Sequence, residues 1–238
     1  MSKKLLIVST SKISGSAYME YIKDEVREHF SGCKKVLFIP FARPGGISHS
    51  SYTQKAREVF EDFGIEMRGA HRFKTAEEAC SWADGFFTGG GNTFVLINEL
   101  HHRGYINVMR SEVEKGKPYM GSSAGSNVAG VSVSTTNDMP IVYPPSFEAL
   151  GLVPFNINPH YLDPIPGNKH MGETRETRIK EFHVFNPQPV VGIREGTALR
   201  VHGDEVTVFG DLSVRLFEQG KEPREIDPNE KLNFLLKK

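Results

Sequence analysis

The sequence predicts an α/β fold in which a mainly parallel sheet lies between two layers of helices. Short apolar runs of strand length recur along the chain, and segments with the 3.6-residue period of amphipathic helices separate them. Strands that alternate with helices are joined by right-handed crossovers, which produce a parallel sheet covered on both faces. We therefore expect a three-layer sandwich. Because no repeat and no long polar linker interrupts the sequence, we expect a single domain over residues 1–238.

Each predicted element depends on its own pattern. The predicted buried strands are Lys4–Ser9, Lys35–Pro40, Gly85–Thr88, Pro118–Ser122 and Pro189–Arg194. The segment Ala17–Phe30 is predicted to be a helix because Ile22, Val26 and Phe30 recur every four residues with charged residues between them. The segment Tyr52–Phe63 has a similar pattern and predicts a second amphipathic helix.

The pattern changes near the C-terminus. Two short apolar runs, Ala198–His202 and Val206–Phe209, flank a Gly-Asp pair, which is typical of a β-hairpin. A third run, Val214–Phe217, follows another Gly-Asp pair. These runs predict an antiparallel extension of the parallel sheet. From Lys221 onwards charged residues and prolines predominate, so we expect these last residues to lie on the surface.

The charge balance and the cysteine count exclude some classes of partner. The chain has 29 Lys+Arg and 29 Asp+Glu residues, a formal net charge of zero. Without a global field we expect no nucleic-acid or membrane partner, but a small substrate recognised locally. Cys33 and Cys80 form neither a disulfide framework nor a motif of zinc-binding spacing, and we expect no metal or cofactor. The apolar run Leu5–Val8 is too short for a signal peptide, which predicts a cytoplasmic protein.

The most informative motif lies where the strand Pro118–Ser122 ends. Residues 121–125 read Gly-Ser-Ser-Ala-Gly and match G-x-S-x-G, with Ser123 at the central position. A serine on a sharp turn between strand and helix has strained backbone geometry, and the small residues on either side let the chain pass closely. The turn exposes the serine hydroxyl. We therefore predict that Ser123 is the nucleophile of a serine hydrolase.

Backbone N–H groups near this turn predict an oxyanion hole. The helix that follows Ser123 has free N–H groups at its start, notably that of Ala124. A second glycine cluster, Gly89–Asn92, follows the strand Gly85–Thr88 and opens another helix. This cluster lacks both the Gly-Lys-Ser/Thr ending of a phosphate-binding loop and the spacing of G-x-G-x-x-G. We predict that it faces Ser123 and donates to the same oxyanion.

A serine nucleophile needs a base, which is usually a histidine oriented by a carboxylate. Of nine histidines, His160 is the candidate best placed, because Phe155–Pro159 is predicted to be extended and α/β sites form just beyond strand ends. Position alone leaves the other histidines open. Glu195 follows an apolar strand and is a candidate for the acid, although a surface role fits it equally well. The order serine, histidine, acid differs from that of α/β-hydrolases, and their HGGG segment is missing.

Six motifs in a fixed order extend this interpretation to nearly the whole chain. They are FTGGGNTF at 87–94, GSSAGSN at 121–127, TTNDMP at 135–140, NPHY at 158–161, GETRE at 172–176 and IREG at 193–196. With these motifs the chain resembles peptidase E, the family of α-aspartyl dipeptidases, and more distantly the cyanophycinases. The resemblance implies a flavodoxin-like sandwich similar to class I glutamine amidotransferases.

The resemblance also implies roles for single residues. It makes Ser123 the nucleophile, His160 the general base and Glu195 the acid that orients it. It assigns the oxyanion hole to the backbone N–H groups of Gly91 and Ala124. The activity implied is hydrolysis of dipeptides with an N-terminal aspartate, through an aspartyl-enzyme and without a metal.

Recognition of aspartate requires a cation, because a buried carboxylate without a partner is costly. Arg175 in GETRE is the first candidate, Arg178 lies one turn further along a predicted helix, and His170 is a weaker one. Asp138 in TTNDMP is implied to act in the site and could pair with the α-ammonium group of the substrate.

Alternatives stay open at this point. The same triad could serve an isoaspartyl or cyanophycin-type peptidase, and the two glycine-rich turns could belong to a noncatalytic protein that binds a small anion. A metal site at His160, Asp163 and His170 is disfavoured, because their spacing matches no established motif. The sequence leaves monomer and homodimer equally open.

Overall fold

The computed structural model describes residues 2–164, 172–228 and 230–237, and in these ranges it has eleven strands and seven α-helices. The strands are β1 (Lys4–Val8), β2 (Lys35–Ile39), β3 (Glu66–Gly69), β4 (Gly85–Thr88), β5 (Tyr119–Ser122), β6 (Asn156–Pro159), β7 (Val190–Ile193), β8 (Ala198–His202), β9 (Glu205–Phe209), β10 (Val214–Phe217) and β11 (Arg224–Ile226). The helices are α1 (Lys23–His29), α2 (His49–Glu61), α3 (Ala76–Trp82), α4 (Thr93–His102), α5 (Tyr105–Glu114), α6 (Ala124–Asn127) and α7 (Arg175–Phe185).

The central sheet has seven strands in the order β3-β2-β4-β5-β1-β8-β9. The first five are parallel to one another, and β8 and β9 continue the sheet in antiparallel orientation. This confirms the predicted mainly parallel sheet with an antiparallel extension. In the register of the sheet, Val8 at the end of β1 lies opposite Ser122 of β5 and Ala198 of β8. The carboxyl ends of β1 and β5 therefore lie side by side, and the predicted nucleophile Ser123 directly follows β5 at this edge of the sheet.

Helices cover both faces of this sheet, because alternate residues of each strand point in opposite directions. Leu6 and Val8 of β1 pack with the apolar side chains of α1 and α2. Leu5 and Ile7 pack with those of α3, α4 and α5 on the opposite face. The predicted three-layer α/β class is confirmed.

A second sheet of four strands, in the order β11-β10-β7-β6, was not expected. The segment Pro189–Arg194 does contain a strand, β7, but this strand pairs with β6 and β10 instead of joining the central sheet. An apolar run predicts that a strand is buried without specifying its neighbour, which explains the error. The expectation of a surface C-terminus was also wrong, because Ile226 and Leu232 are 1% and 0% exposed.

The first predicted helix is shorter than expected. A 3₁₀ turn at Glu20–Ile22 precedes α1, and Met19 has a φ of 59° in the left-handed region. A left-handed residue interrupts helical hydrogen bonding, so the periodic pattern of Ala17–Phe30 is not one continuous α-helix.

Polar side chains define where several helices begin. An N-cap side chain that accepts a backbone N–H from the first turn stabilises a helix, because those N–H groups otherwise lack partners. Four helices begin this way, with Ser48, Thr75, Asn92 and Thr174 as N-caps. Among the described residues, no helix combines the length and apolar character that crossing a membrane requires.

Candidate active site

The turn after β5 has the backbone strain that its motif predicts. Ser123 adopts φ 57° and ψ −115° between β5 and α6, and its N–H donates to the Val8 carbonyl at 3.1 Å. Both motif glycines are required by close approach: a Cβ on Gly121 would lie 2.3 Å from the Gly125 oxygen, and one on Gly125 would lie 2.1 Å from the Thr88 oxygen. Strain of this kind persists only where the surrounding structure imposes it. The turn presents the Ser123 side chain half-buried at the end of the sheet.

The three predicted triad residues form one chain of hydrogen bonds. His160 Nε2 lies 2.8 Å from Ser123 Oγ, and His160 Nδ1 lies 2.6 Å from Glu195 Oε1. In the neutral tautomer with its proton on Nδ1, His160 donates to Glu195 and accepts from Ser123. The side chains of His160 and Glu195 are 35% and 51% exposed. The arrangement can transfer a proton from the serine hydroxyl to the imidazole, and solvent and substrate can reach it.

Ser9, which the sequence analysis missed, links the backbone of His160 to the end of β7, the strand that precedes Glu195. It directly follows β1, its Oγ donates to the Ile193 carbonyl at the end of β7 at 2.8 Å, and it accepts the N–H of His160 at 2.9 Å. His160 itself has a φ of 53°. The Ser9 hydroxyl thus fixes the backbone of His160, and with it the position of the imidazole. The position of Ser9 at the end of the predicted strand Lys4–Ser9 was the only signal in the sequence.

Two asparagines hold β6 from the other side. Asn158 Nδ2 donates to the Thr135 carbonyl and to Asn137 Oδ1, both at 2.8 Å. Asn137 Nδ2 donates to the carbonyl of Pro159 at 2.9 Å. These bonds fix the strand end immediately before His160, so the TTNDMP and NPHY motifs lie in contact.

The glycine cluster after β4 packs directly on the turn that carries Ser123, as the sequence predicts. A Cβ on Gly90 would lie 2.8 Å from Ser123 Cβ and 3.4 Å from its Oγ. Gly91 has a φ of 146°, and a Cβ there would lie 2.2 Å from the Ala42 oxygen. Within the described part of the chain, the N–H groups of Gly91 and Ala124 have no hydrogen-bond partner. Unpaired backbone donors beside a serine are what a developing oxyanion requires.

Asp138 lies at the N-terminus of α4. Its Oδ2 accepts the N–H of Thr93 at 2.7 Å and lies 3.3 Å from Thr136 Oγ1. The neighbouring Asn92 Nδ2 donates to the Met139 carbonyl at 2.9 Å. The carboxylate therefore connects the TTNDMP segment to the helix that follows the glycine cluster, a structural role that the sequence did not indicate.

The candidate cations differ in their surroundings. Arg175 begins α7 and is partly buried, which lowers its pKa; the charge of Arg178 lowers it further and that of Asp138 acts in the opposite direction. With the described residues Arg175 forms no ion pair. Arg178 is exposed and lies 3.7 Å from Glu173. His170 lies outside the described residues.

An ion-pair network includes residues that lie near His160 and Glu195 in the sequence. Arg194, whose side chain is only 14% exposed, forms two bonds to Asp163 at 2.8 and 2.7 Å and pairs with Glu225 at 2.8 Å. Arg194 lowers the pKa of Asp163. Burial raises the pKa of Glu225, but the hydrogen bonds it accepts outweigh burial and hold that pKa at about 2. The network anchors both the segment after His160 and the residue before Glu195.

No group of three or more potential metal ligands comes together in residues 2–164, 172–228 and 230–237. Asp163 of the disfavoured metal site is instead bound to Arg194.

Comparisons with known proteins agree on one family. Residues 5–209 match the profile of peptidase family S51. The chain is 44% identical over 240 residues to the probable alpha-aspartyl dipeptidase of Drosophila melanogaster, which covers 100% of this chain and 99% of that protein. It is 46% identical over 232 residues to peptidase E of Streptomyces coelicolor, which covers 98% of this chain and 94% of that protein.

A solved structure is similar in fold. A peptidase from an acI-B1 Actinobacterium superposes with a TM-score of 0.73 at 20% sequence identity and covers 98% of this chain and 97% of its own. At this identity the likeness concerns the fold alone.

Proposed function

The chain belongs to peptidase family S51 and is a serine dipeptidase, and from this premise we propose that it hydrolyses dipeptides with an N-terminal aspartate through Ser123, His160 and Glu195. The observation that supports this most directly is the continuous hydrogen-bonded chain, 2.8 Å from serine to histidine and 2.6 Å from histidine to glutamate. The name of the Drosophila relative, a probable alpha-aspartyl dipeptidase, supports the aspartyl specificity.

In the proposed reaction, Ser123 Oγ attacks the peptide carbonyl carbon while its proton passes to His160 Nε2. The carbonyl oxygen becomes an oxyanion that accepts hydrogen bonds from the N–H groups of Gly91 and Ala124. The imidazolium then protonates the leaving amine, and an aspartyl-enzyme forms. Water attacks this ester while losing a proton to His160, and the imidazolium returns that proton to Ser123 Oγ as the ester bond breaks and aspartate is released. Glu195 keeps the imidazole in the required tautomer throughout.

The side chain of the substrate aspartate is proposed to bind Arg175. This guanidinium is partly buried, has no ion pair with a described residue, and is near enough to Asp138 for their charges to interact. Arg178 also contributes positive charge at this end of α7. Asp138 is proposed to attract the α-ammonium of the substrate with the oxygen that does not bind the Thr93 N–H.

The substrate class is tested by release of aspartate from Asp-Leu, with Ala-Leu and β-linked Asp-Leu in parallel and a chelator present. We expect release from Asp-Leu and at least about a hundredfold lower kcat/KM with Ala-Leu, because the cation at the pocket has no partner when alanine is bound. Hydrolysis of the β-linked peptide in preference to Asp-Leu would move the assignment to the isoaspartyl and cyanophycin branch. Equal rates with Ala-Leu would contradict the aspartyl specificity.

Arg175→Met should lower kcat/KM for Asp-Leu by about a hundredfold, because a charged bidentate contact to the substrate is lost. Turnover of Ala-Leu should change little, since that substrate offers no carboxylate side chain. The ratio of the two kcat/KM values is therefore the measurement.

The matched variant is Arg178→Met on the same helix. This side chain is 54% exposed and lies beside Glu173, so its loss should reduce the ratio by a few-fold at most, through the weaker field. If Arg178→Met lowers the ratio more than Arg175→Met, the carboxylate pocket is built around Arg178.

A further inference from the structure

The carbonyl oxygen of Gly90 accepts two hydrogen bonds from side chains that belong to other parts of the chain. Tyr52 of α2 donates its hydroxyl at 3.1 Å, and Arg43, which follows β2, donates Nε–H at 3.2 Å. The Arg43 guanidinium carbon also lies 4.8 Å from the centre of the Tyr52 ring. The two side chains therefore hold each other as well as the carbonyl.

These two donors differ in their surroundings. Tyr52 is 2% exposed, and its ring packs edge-on against Phe38 at 4.9 Å between centroids. Burial raises the pKa of the Tyr52 hydroxyl, so the hydroxyl keeps its proton and stays a donor. Arg43 is exposed. A polar phenol held in the apolar layer and a cation at the surface thus converge on one backbone oxygen.

The bonded oxygen belongs to the peptide unit that ends in the Gly91 N–H. In a trans peptide the carbonyl and the N–H point in opposite directions from a rigid plane. Anchoring the Gly90 oxygen on Tyr52 and Arg43 therefore turns the Gly91 N–H away from them. Gly90 itself packs on Ser123, since a Cβ added to this glycine would lie 2.8 Å from Ser123 Cβ. Among the described residues nothing accepts the Gly91 N–H.

We propose that Arg43 and Tyr52 are positioning residues for the oxyanion hole, which act by fixing and polarising the Gly90–Gly91 peptide. This inference depends on the proposed function, in which the Gly91 N–H donates to the oxyanion. A cation on the carbonyl draws electron density from the amide and makes its N–H a stronger donor. Since the oxyanion develops only as Ser123 attacks and is absent from the bound substrate, the two side chains act on kcat and not on substrate binding.

The test compares Tyr52→Phe, Arg43→Met and the double variant in hydrolysis of Asp-Leu. Each single change should lower kcat about tenfold, and the double change about a hundredfold, which approaches the loss of one oxyanion donor. KM should stay within about twofold. Phenylalanine keeps the packing of the ring, and Arg43 is exposed, so both variants should fold. Arg43→Lys, which keeps the charge without the fixed Nε–H, should recover part of the loss.

A second measurement separates positioning from general damage. The α-aldehyde of aspartate adds to a serine nucleophile and places its oxygen in the hole, whereas β-alanine, which is aspartate without its α-carboxyl group, has no oxygen at that position. The variants should bind the aldehyde more weakly by the same factor as kcat falls, and their affinity for β-alanine should not change. Tyr105→Phe removes another buried tyrosine hydroxyl from a backbone carbonyl, that of Ala70, and should leave kcat unchanged.

The outcomes distinguish this inference from the proposed function. If Ser123→Ala is inactive while Tyr52→Phe and Arg43→Met retain full kcat, the positioning role is wrong and the proposed nucleophile stands. If KM rises and kcat does not fall, Arg43 and Tyr52 bind substrate instead, which also overturns the inference. If Ser123→Ala remains active, the proposed function fails and the inference fails with it.

Discussion

Ser123→Ala should abolish hydrolysis of Asp-Leu, with kcat reduced by at least about 10⁴-fold. In the proposed mechanism the hydroxyl forms the covalent bond to the substrate, and the oxyanion donors and the substrate pocket that remain supply only residual catalysis. The change removes one half-buried oxygen from a residue whose N–H still bonds to Val8, so the fold and its melting temperature should be retained. The measurement is kcat of the purified variant, with thermal unfolding recorded in parallel.

The matched control is Ser122→Ala, one residue earlier on the same turn. The Ser122 hydroxyl is buried and lacks a hydrogen-bond partner among the described residues, so its removal should leave kcat unchanged and should not reduce stability. A serine-reactive fluorophosphonate should label the wild-type protein and Ser122→Ala, but not Ser123→Ala. Activity of Ser123→Ala within about tenfold of wild type would exclude it as the nucleophile.

His160→Ala should lower kcat by a similar factor, about 10⁴-fold, because a serine hydroxyl near neutral pH is a weak nucleophile without a base. The imidazole is 35% exposed, so its removal leaves a space that is open to solvent. Added imidazole should enter this space beside Glu195 and restore part of the activity, in proportion to its neutral form. The measurement is kcat at increasing imidazole concentration and fixed ionic strength.

His102→Ala provides the comparison. His102 lies at the exposed end of α4, and among the described residues it bonds only within its own helix, to the Asn98 carbonyl. We expect its kcat to match wild type and to be insensitive to imidazole. Full activity of His160→Ala in the absence of imidazole would require another base and would remove His160 from the mechanism.

The sequence predicted the central sheet better than the arrangement around it. The apolar runs Lys4–Ser9, Lys35–Pro40 and Pro118–Ser122 are parallel strands of that sheet. The strand within Pro189–Arg194 was recognised, but its sheet was not. Periodicity reports burial and local conformation, whereas the choice between two possible neighbours depends on packing between distant segments. The short strand β3 was missed for a different reason: its four residues alternate between exposed and buried and contain no apolar run.

In the candidate site, the residues that belong to a local sequence motif could be predicted, whereas those that act only through contacts with distant segments could not. Ser123 could be identified from the spacing of two glycines, because local chain geometry imposes that spacing. His160 has no such local signature, and position together with family resemblance suggested it. The roles of Ser9 and Tyr52 were not predicted, because their partners are distant in sequence. Ser9 accepts from the His160 N–H, 151 residues away, and Tyr52 donates to the Gly90 carbonyl, 38 residues away. A single polar side chain in a helix or at a strand end gives no indication of such a distant partner.

The three residues of the proposed triad come from both sheets, so the proposed catalysis depends on the assembly of the two sheets. Ser123 follows β5 of the central sheet, whereas His160 and Glu195 follow β6 and β7 of the smaller one. Hydrogen bonds of 2.8 and 2.6 Å tolerate only a few tenths of an ångström of displacement. In the proposed mechanism, a chain whose smaller sheet is not docked on the central sheet has a nucleophile without a base. Hydrolysis of Asp-Leu therefore reports that both sheets have formed and docked.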